Sequence, residues 1–218
     1  MSADQEIIPL FPLNTVLLPG IALPLHIFEQ RYKVMISECV ASSGRFGVVL
    51  IAAGREVGAP ATPYRVGTTA RIVGVDRFED GRMNLFCIGD ARFRILDLVG
   101  GTLYQRARIA YWPDDPDSCD ATVIAHQIRC DLRELLALGK DEHDDAISQL
   151  PANPFELGNV VAASLPVDLA LRQSLLEEPS SCSRLHRIAT ILREETAMMR
   201  VTGAARFIAA RPGQFSDN

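Results

Sequence analysis

The chain has 218 residues, 48% of them hydrophobic, a net charge of −5 and five cysteines. That length supports one large or two small packed units without covalent staples, and the acidic balance argues against broad polyanion binding. The cysteines, at positions 39, 87, 119, 130 and 182, are odd in number, widely spaced and free of any C-x-x-C pair, so no disulfide framework or zinc knuckle is expected. A reducing, cytoplasmic setting follows as the expectation. The start, MSADQEI, lacks the basic and apolar runs of a signal peptide, and no stretch approaches a membrane span. Charge is split unevenly: residues 1–112 carry 12 basic and 10 acidic side chains, and residues 113–218 carry 10 and 17.

In chain order, the first informative stretch is PLFPLNTVLLPGIALPLHIFEQRY, residues 9–32, in which prolines 9, 12, 19 and 24 each remove a backbone donor. It cannot be one central strand or a helix, yet it is too apolar for a solvated loop. Short extended pieces bent at the prolines and threading a core are expected. From Phe28 to Ala41 the apolar spacing of Phe28, Tyr32, Met35, Ile36 and Cys39 or Val40 predicts an amphipathic helix. Residues 46–52 predict a buried strand, and residues 54–63 a surface loop. Strands are predicted over 66–78 and 83–88, joined at Glu79, Asp80 and Gly81, where Asp-Gly signals a tight hairpin of the two-residue type. Two further strands, 92–98 and 103–111, flank Gly100 and Gly101.

At Trp112 the pattern changes. Two prolines and three acids within WPDDPD end the β region, Asp117 or Ser118 can cap a helix, and the boundary is placed there: residues 1–112 form a β-rich unit and 113–218 a helical one. Ala121, Ile124, Ile128, Leu132 and Leu135 form a helical stripe that Gly139 would terminate, and KDEHDD, residues 140–145, reads as a solvated acidic loop. Asn153, Pro154 and Glu156 open another helix, Asp168 to Glu178 a short one, and Ser180 or Ser181 a last long one, with the tail RPGQFSDN frayed. The fold class is α+β.

Five segments in order resemble the N-terminal, substrate-binding domain of Lon proteases: PLFPLNTVLLPG with LPLHIFEQRY, GRFGVVLI (44–51), Glu56 to Gly58, VGTTARIVGV (66–75) and DGRMNLFCIGDARFRI (80–95). Leu18 stands where an aromatic residue is expected, and Gln30 where proline precedes Arg-Tyr. The resemblance implies a PUA-like pseudobarrel for the first unit and a non-catalytic module that recognises unfolded or degron-bearing polypeptide, alone or beside a separate protease or chaperone.

Catalytic elements are not evident. Gly139-Lys140 is followed by Asp141 rather than by the Ser or Thr of a phosphate-binding loop, and neither of the two lysines lies in the glycine-rich serine context of a Ser-Lys peptidase. His126 and Cys130, four apart on a helix, are two ligands without a second pair. No enzyme activity, cofactor or metal is expected. The candidate polypeptide-binding residues are Phe28, Tyr32, Phe78, Met83 and Phe86 as apolar anchors, with Glu29 and Arg31 as a polar rim. His26, between apolar neighbours, reads as a core or edge histidine. RNA binding is the alternative, because PUA-like folds serve RNA-binding proteins and arginines 65, 71, 77, 82, 92, 94, 106 and 108 stud the strands. Acids among those strands and the lack of interleaved aromatics weigh against it.

Overall fold

Pro9 and Pro12 lie inside one strand, β1 (Gln5–Leu13), and its pairing explains how. Residues 5–9 pair antiparallel with β6 (Arg106–Tyr111), whereas residues 10–13 pair in parallel with β3 (Arg45–Ala53), so the strand changes partner just after Pro9. Among the described residues each half is laddered on one side, and a proline whose nitrogen faces the other side removes no ladder bond. The computed structural model describes residues 5–42, 44–56, 61–100, 103–115, 119–138, 147–202 and 216–217. Gly139, Asp117, Ser118, the acidic run 140–145, and Val57 and Gly58 of the third motif segment lie outside the described residues.

Contacts divide the chain into two units, residues 1–113 with 211–218, and residues 114–210. In the first, the described strands also include β2 (Ala22–Ile27), β4 (Thr62–Arg77), β5 (Met83–Val99) and β7 (Ser216–Asp217). They run in the order β4-β3-β1-β6-β5-β2-β7, and β4 pairs back to β5. That pairing closes β4, β3, β1, β6 and β5 into a pseudobarrel, with β2 and β7 extending from β5. One face of β2 and α1 (Gln30–Ala41) cover a core of Phe11, Leu25, Ile27, Tyr32, Met35, Ile36, Phe46, Met83 and Leu85. A second cluster, Ile8, Leu10, Val49, Phe93, Ile95 and Ile109, fills the other part of the barrel.

Where two strands are expected over 83–98, one long β5 is found, and Gly89 explains the difference. It is no turn residue. A Cβ at Gly89 would lie 2.4 Å from the Leu18 carbonyl oxygen, and its backbone bonds both ways to the proline-rich loop, Gly20 N–H to Gly89 O at 2.8 Å and Gly89 N–H to Ile21 O at 2.9 Å. The Thr68 hydroxyl donates to Leu17 O at 2.6 Å, so β4 and β5 together clamp that loop against the barrel.

The hairpin at 78–82 is a three-residue loop rather than the two-residue kind. Gly81 N–H donates to Phe78 O and Phe78 N–H to Arg82 O, with Gly81 at φ 79°. A turn followed by a left-handed residue is the next commonest hairpin solution, and it still calls for glycine.

The second unit packs α2 (Ala121–Leu138), α3 (Pro154–Ser164) and α5 (Ser181–Thr202), with α4 (Leu169–Leu176) between the last two in sequence. Ile124, Ile128, Leu132, Leu135, Leu157, Val161, Leu185, Ile188 and Leu192 are buried. Two caps act as the sequence predicts, Asn153 Oδ1 accepting from the Phe155 and Glu156 amides and Ser180 Oγ from Ser183, and Asp168 Oδ1, not singled out as a cap, accepts from Leu171. Contrary to the expectation of no disulfide framework, Cys119 and Cys182 are disulfide-bonded, with Cα atoms 5.9 Å apart at a sequence separation of 63. Of the tail, residues 211–215 and 218 lie outside the described residues, and Ser216–Asp217 pairs with β2.

Candidate functional site

Strand parity decides which of the candidate residues reach the surface. On β5, Met83, Leu85 and Cys87 alternate inward, and Asn84 and Phe86 outward. Met83 and Phe86 are three apart and therefore on opposite faces. Met83 is 2% exposed and belongs to the core, whereas Phe86 is 43% exposed. Tyr32 is likewise a core residue, its ring 4.1 Å from that of Phe11, because it shares the inward face of α1 with Met35, Ile36 and Cys39. Burial, partly offset by the adjacent Arg31, pushes its hydroxyl up to about 12. Met83 thus presents almost no outer surface, and Tyr32 shows only 3% of its area.

Phe28 escapes the helical stripe because α1 starts only at Gln30, which leaves its ring at the surface. Phe78 closes the β4–β5 hairpin, 44% exposed. These residues and Phe86 are joined by the ladder. Pro24, Phe86 and Gly74 sit side by side across β2, β5 and β4, and His26, Asn84 and Asp76 form the next outward row. His26 Nδ1 lies 2.7 Å from Asn84 Oδ1. Its ring is 6.3 Å from Phe28, stacked, and 6.2 Å from Phe78, edge-on. Phe28, His26 and Phe78 thus form one aromatic group, with Phe86 two residues from Asn84 on the same face. Arg82 stands 5.8 Å from the Phe78 ring and is held by Asp80, whose carboxylate accepts from the Arg82 amide at 3.0 Å and from its Nε at 2.6 Å. Those bonds, the backbone one first, hold the Asp80 carboxyl below the usual range.

Glu29 and Arg31 turn elsewhere. Arg31 Nε is 3.2 Å from Glu29, its Nη2 donates to Glu56 O at 3.0 Å, and its guanidinium lies 4.5 Å over the Tyr32 ring. Arg31 borders a cavity of about 200 Å³ also lined by Tyr32, Glu56, Tyr104 and Gln105; Glu29 does not line it. A larger cleft of about 590 Å³ lies between β1, α1 and the segment before β6, lined by Ile7, Val34, Glu38, Leu103, Tyr104 and Arg106. There burial and the hydrogen bond to Glu38 push the Tyr104 hydroxyl up to about 12. Sequence reading missed this cleft, since only closure of the barrel brings its walls together, and it also missed Asn84, which period-2 alternation would have turned outward but which only the β2–β5 pairing sets beside His26.

The strand arginines do not form one basic face. Arg92 is buried, and it and Arg94 lie 4.8 and 3.5 Å from the Trp112 ring. Arg108 is 3.9 Å from Asp97, and Arg77 is bonded to the Met83 sulfur. In the helical unit, His126 and Cys130 face each other at 3.6 Å, and among the described residues no group of three or more His, Cys, Asp and Glu gathers as metal ligands. No described helix is long and apolar enough to cross a membrane.

What the β unit offers is apolar area flanking a histidine–amide pair on a sheet that projects from a closed barrel: the make-up of a binding module. The chain belongs to the family of the ATP-dependent protease La (LON) substrate-binding domain, which matches residues 7–194. It is 28% identical over 203 residues to a Lon protease of Anaeromyxobacter dehalogenans and 28% over 204 to Lon protease 2 of Myxococcus xanthus, covering 90% of this chain in both cases. It spans only 24% of the length of those relatives. A Lon N-terminal domain protein from Xanthomonas campestris shares the fold with a TM-score of 0.62 at 27% identity, over 85% of this chain and 98% of that one. The N-terminal domain of a Mycobacterium avium complex Lon protease aligns with a TM-score of 0.67 at 18% identity, over 86% and 98%.

Proposed function

We propose that the β unit recognises unfolded or degron-bearing polypeptide for quality control or proteolysis, through the outward face of Phe28, His26, Phe78, Asn84 and Phe86, and that it performs no chemistry. The observation that carries this reading is the aromatic group of Phe28, His26 and Phe78 beside Phe86, with the three phenylalanines 39, 44 and 43% exposed on one sheet face. Covering such a group with a partner's apolar side chains is favourable by about 25 cal/mol per Å². Being apolar, the contact is little screened by salt. Family membership supports a substrate-recognition role. Delivery to a separate protease or chaperone belongs to the same proposal.

The test is a titration of the protein with fluorescently labelled, reduced and carboxymethylated lactalbumin at two salt concentrations. Phe78→Ser with Phe86→Ser is expected to weaken binding about thirtyfold, on the basis of roughly 1 kcal/mol of additional burial per ring, with affinity nearly independent of salt. Arg82→Ala should change it by less than threefold. Unaltered binding by the double variant, or affinity for structured RNA that exceeds it and falls steeply with salt, would overturn the reading.

A further inference from the structure

The outer side of β2 carries the proposal that goes furthest. β2 is paired along its whole length with β5, from Ala22 opposite Ile88 to Ile27 opposite Met83. On its other side Ser216–Asp217 runs parallel to it, with Ser216 opposite Leu25 and Asp217 opposite His26. Among the described residues no other strand pairs there, so the sheet ends at β2 except for two residues brought from the far end of the chain. Pro24 sits in this strand, as suits an edge. An edge of unpaired N–H and C=O groups is a template for any extended chain, and it runs directly beside the aromatic face, since His26 belongs both to the row opposite Asp217 and to the group with Phe28 and Phe78.

We propose that β2 binds extended polypeptide by strand addition, and that Ser216–Asp217 occupies the same edge as an internal competitor. The proposal rests on the reading of the outward face given above and adds the mode of binding and its regulation. Strand addition suits a client with no fixed sequence. Main-chain hydrogen bonds supply affinity irrespective of side chains, while every second side chain of the added strand falls on the face of Phe28, His26 and Phe86, which favours apolar residues at alternate positions. A two-residue pairing covers Leu25 and His26 and leaves Ala22, Leu23 and Pro24 of the same edge uncovered by it. Such an occupant is readily displaced by a longer strand, which would pair with all of them.

The experiment compares the 218-residue chain with its Ser216→Pro, Asp217→Pro variant, in which both amide donors of the competing strand are removed. The probe is again labelled, carboxymethylated lactalbumin, and hydrogen exchange of the backbone over residues 22–27 is measured with and without it. The variant is expected to bind at least threefold more tightly than the unaltered protein, and the probe is expected to slow exchange over 22–27 in both. Binding by the variant alone would also support occlusion by the internal strand. If affinity is equal in the two proteins and exchange over 22–27 is unaffected by the probe, strand addition is wrong. The recognition face itself then stands or falls on the Phe78, Phe86 variant. If neither protein binds the probe, both readings fall.

Discussion

Reducing the Cys119–Cys182 bond should destabilise the helical unit by a calculable amount. The two residues are separated by 63 positions, and closing a loop of that size removes unfolded-chain entropy equivalent to about 4 kcal/mol at 25 °C. Little offsetting strain is expected, because the same junction is fixed independently. Arg184 Nη2 contacts both Asp114 oxygens at 2.8 and 2.9 Å, and Asp115 N–H donates to Pro179 O at 3.0 Å beside a bridge to Ser180. The reduced protein should therefore keep its native structure at the junction and lose stability mainly through a less restricted unfolded chain. The assay is urea unfolding followed by far-ultraviolet circular dichroism, with and without reductant and in Cys119→Ser. With a slope of about 2 kcal/mol per molar urea, the helical transition should fall by about 2 M. Identical midpoints in all three samples would refute the reasoning, as would five free thiols by mass spectrometry of the oxidised protein.

Met83→Ser should cost about 2 to 5 kcal/mol through lost core packing, whereas Phe86→Ser should cost about 1 kcal/mol or less, as denaturation midpoints of the two variants would show. Gly81→Val places a β-branched residue at φ 79°, for a loss of about 1 to 3 kcal/mol; an unchanged midpoint would mean that the turn has another geometry in solution. Cys39 and Cys87 are buried thiols pushed up to about 11 and 12, mainly by desolvation. They should resist thiol reagents at pH 8 in the folded protein, while Cys130, half-buried, reacts first. Because unfolding lets both thiols ionise from about pH 9 upward, stability present below that pH should be lost progressively as the pH rises toward 12, and unfolding midpoints measured at pH 8 and pH 10.5 check the sign.

How far the sequence can be read depends on the range over which each feature is determined. Helix caps are local, and Asn153 and Ser180 act as their spacing predicts. The partner change in β1, the closure of the barrel by β4 and β5, and the approach of Cys119 to Cys182 depend on residues tens of positions apart. No local period encodes them. Met83 is a different case: its burial follows from the alternation of a strand the sequence already predicts, and only grouping it with Phe86 by proximity in sequence obscured that.

The residues that reveal the family are, for the most part, not the ones proposed to bind. Leu10, Phe11 and Leu13 from the opening motif, Phe46, Val48 and Val49 from the second, Thr68, Thr69 and Ala70 from the fourth and Phe93 from the last are all buried. Gly67 and Gly89 hold places where a Cβ would come within 2.4 Å of a backbone oxygen. Such positions are constrained by close packing on every side, so they carry the fold's signature and make its identification possible. A recognition face for varied clients is under the opposite constraint, since Phe28, Phe78 and Phe86 need only be apolar and outward. The LPLHIFEQRY segment joins the two: Leu23, Leu25, Ile27 and Tyr32 fasten it to the core, and the intervening His26 and Phe28 are thereby aimed at the surface. There, as in residues 83–87 of the last motif, where Met83, Leu85 and Cys87 turn inward and Asn84 and Phe86 outward, recognising the fold and recognising the site amount to reading alternate letters of the same segment.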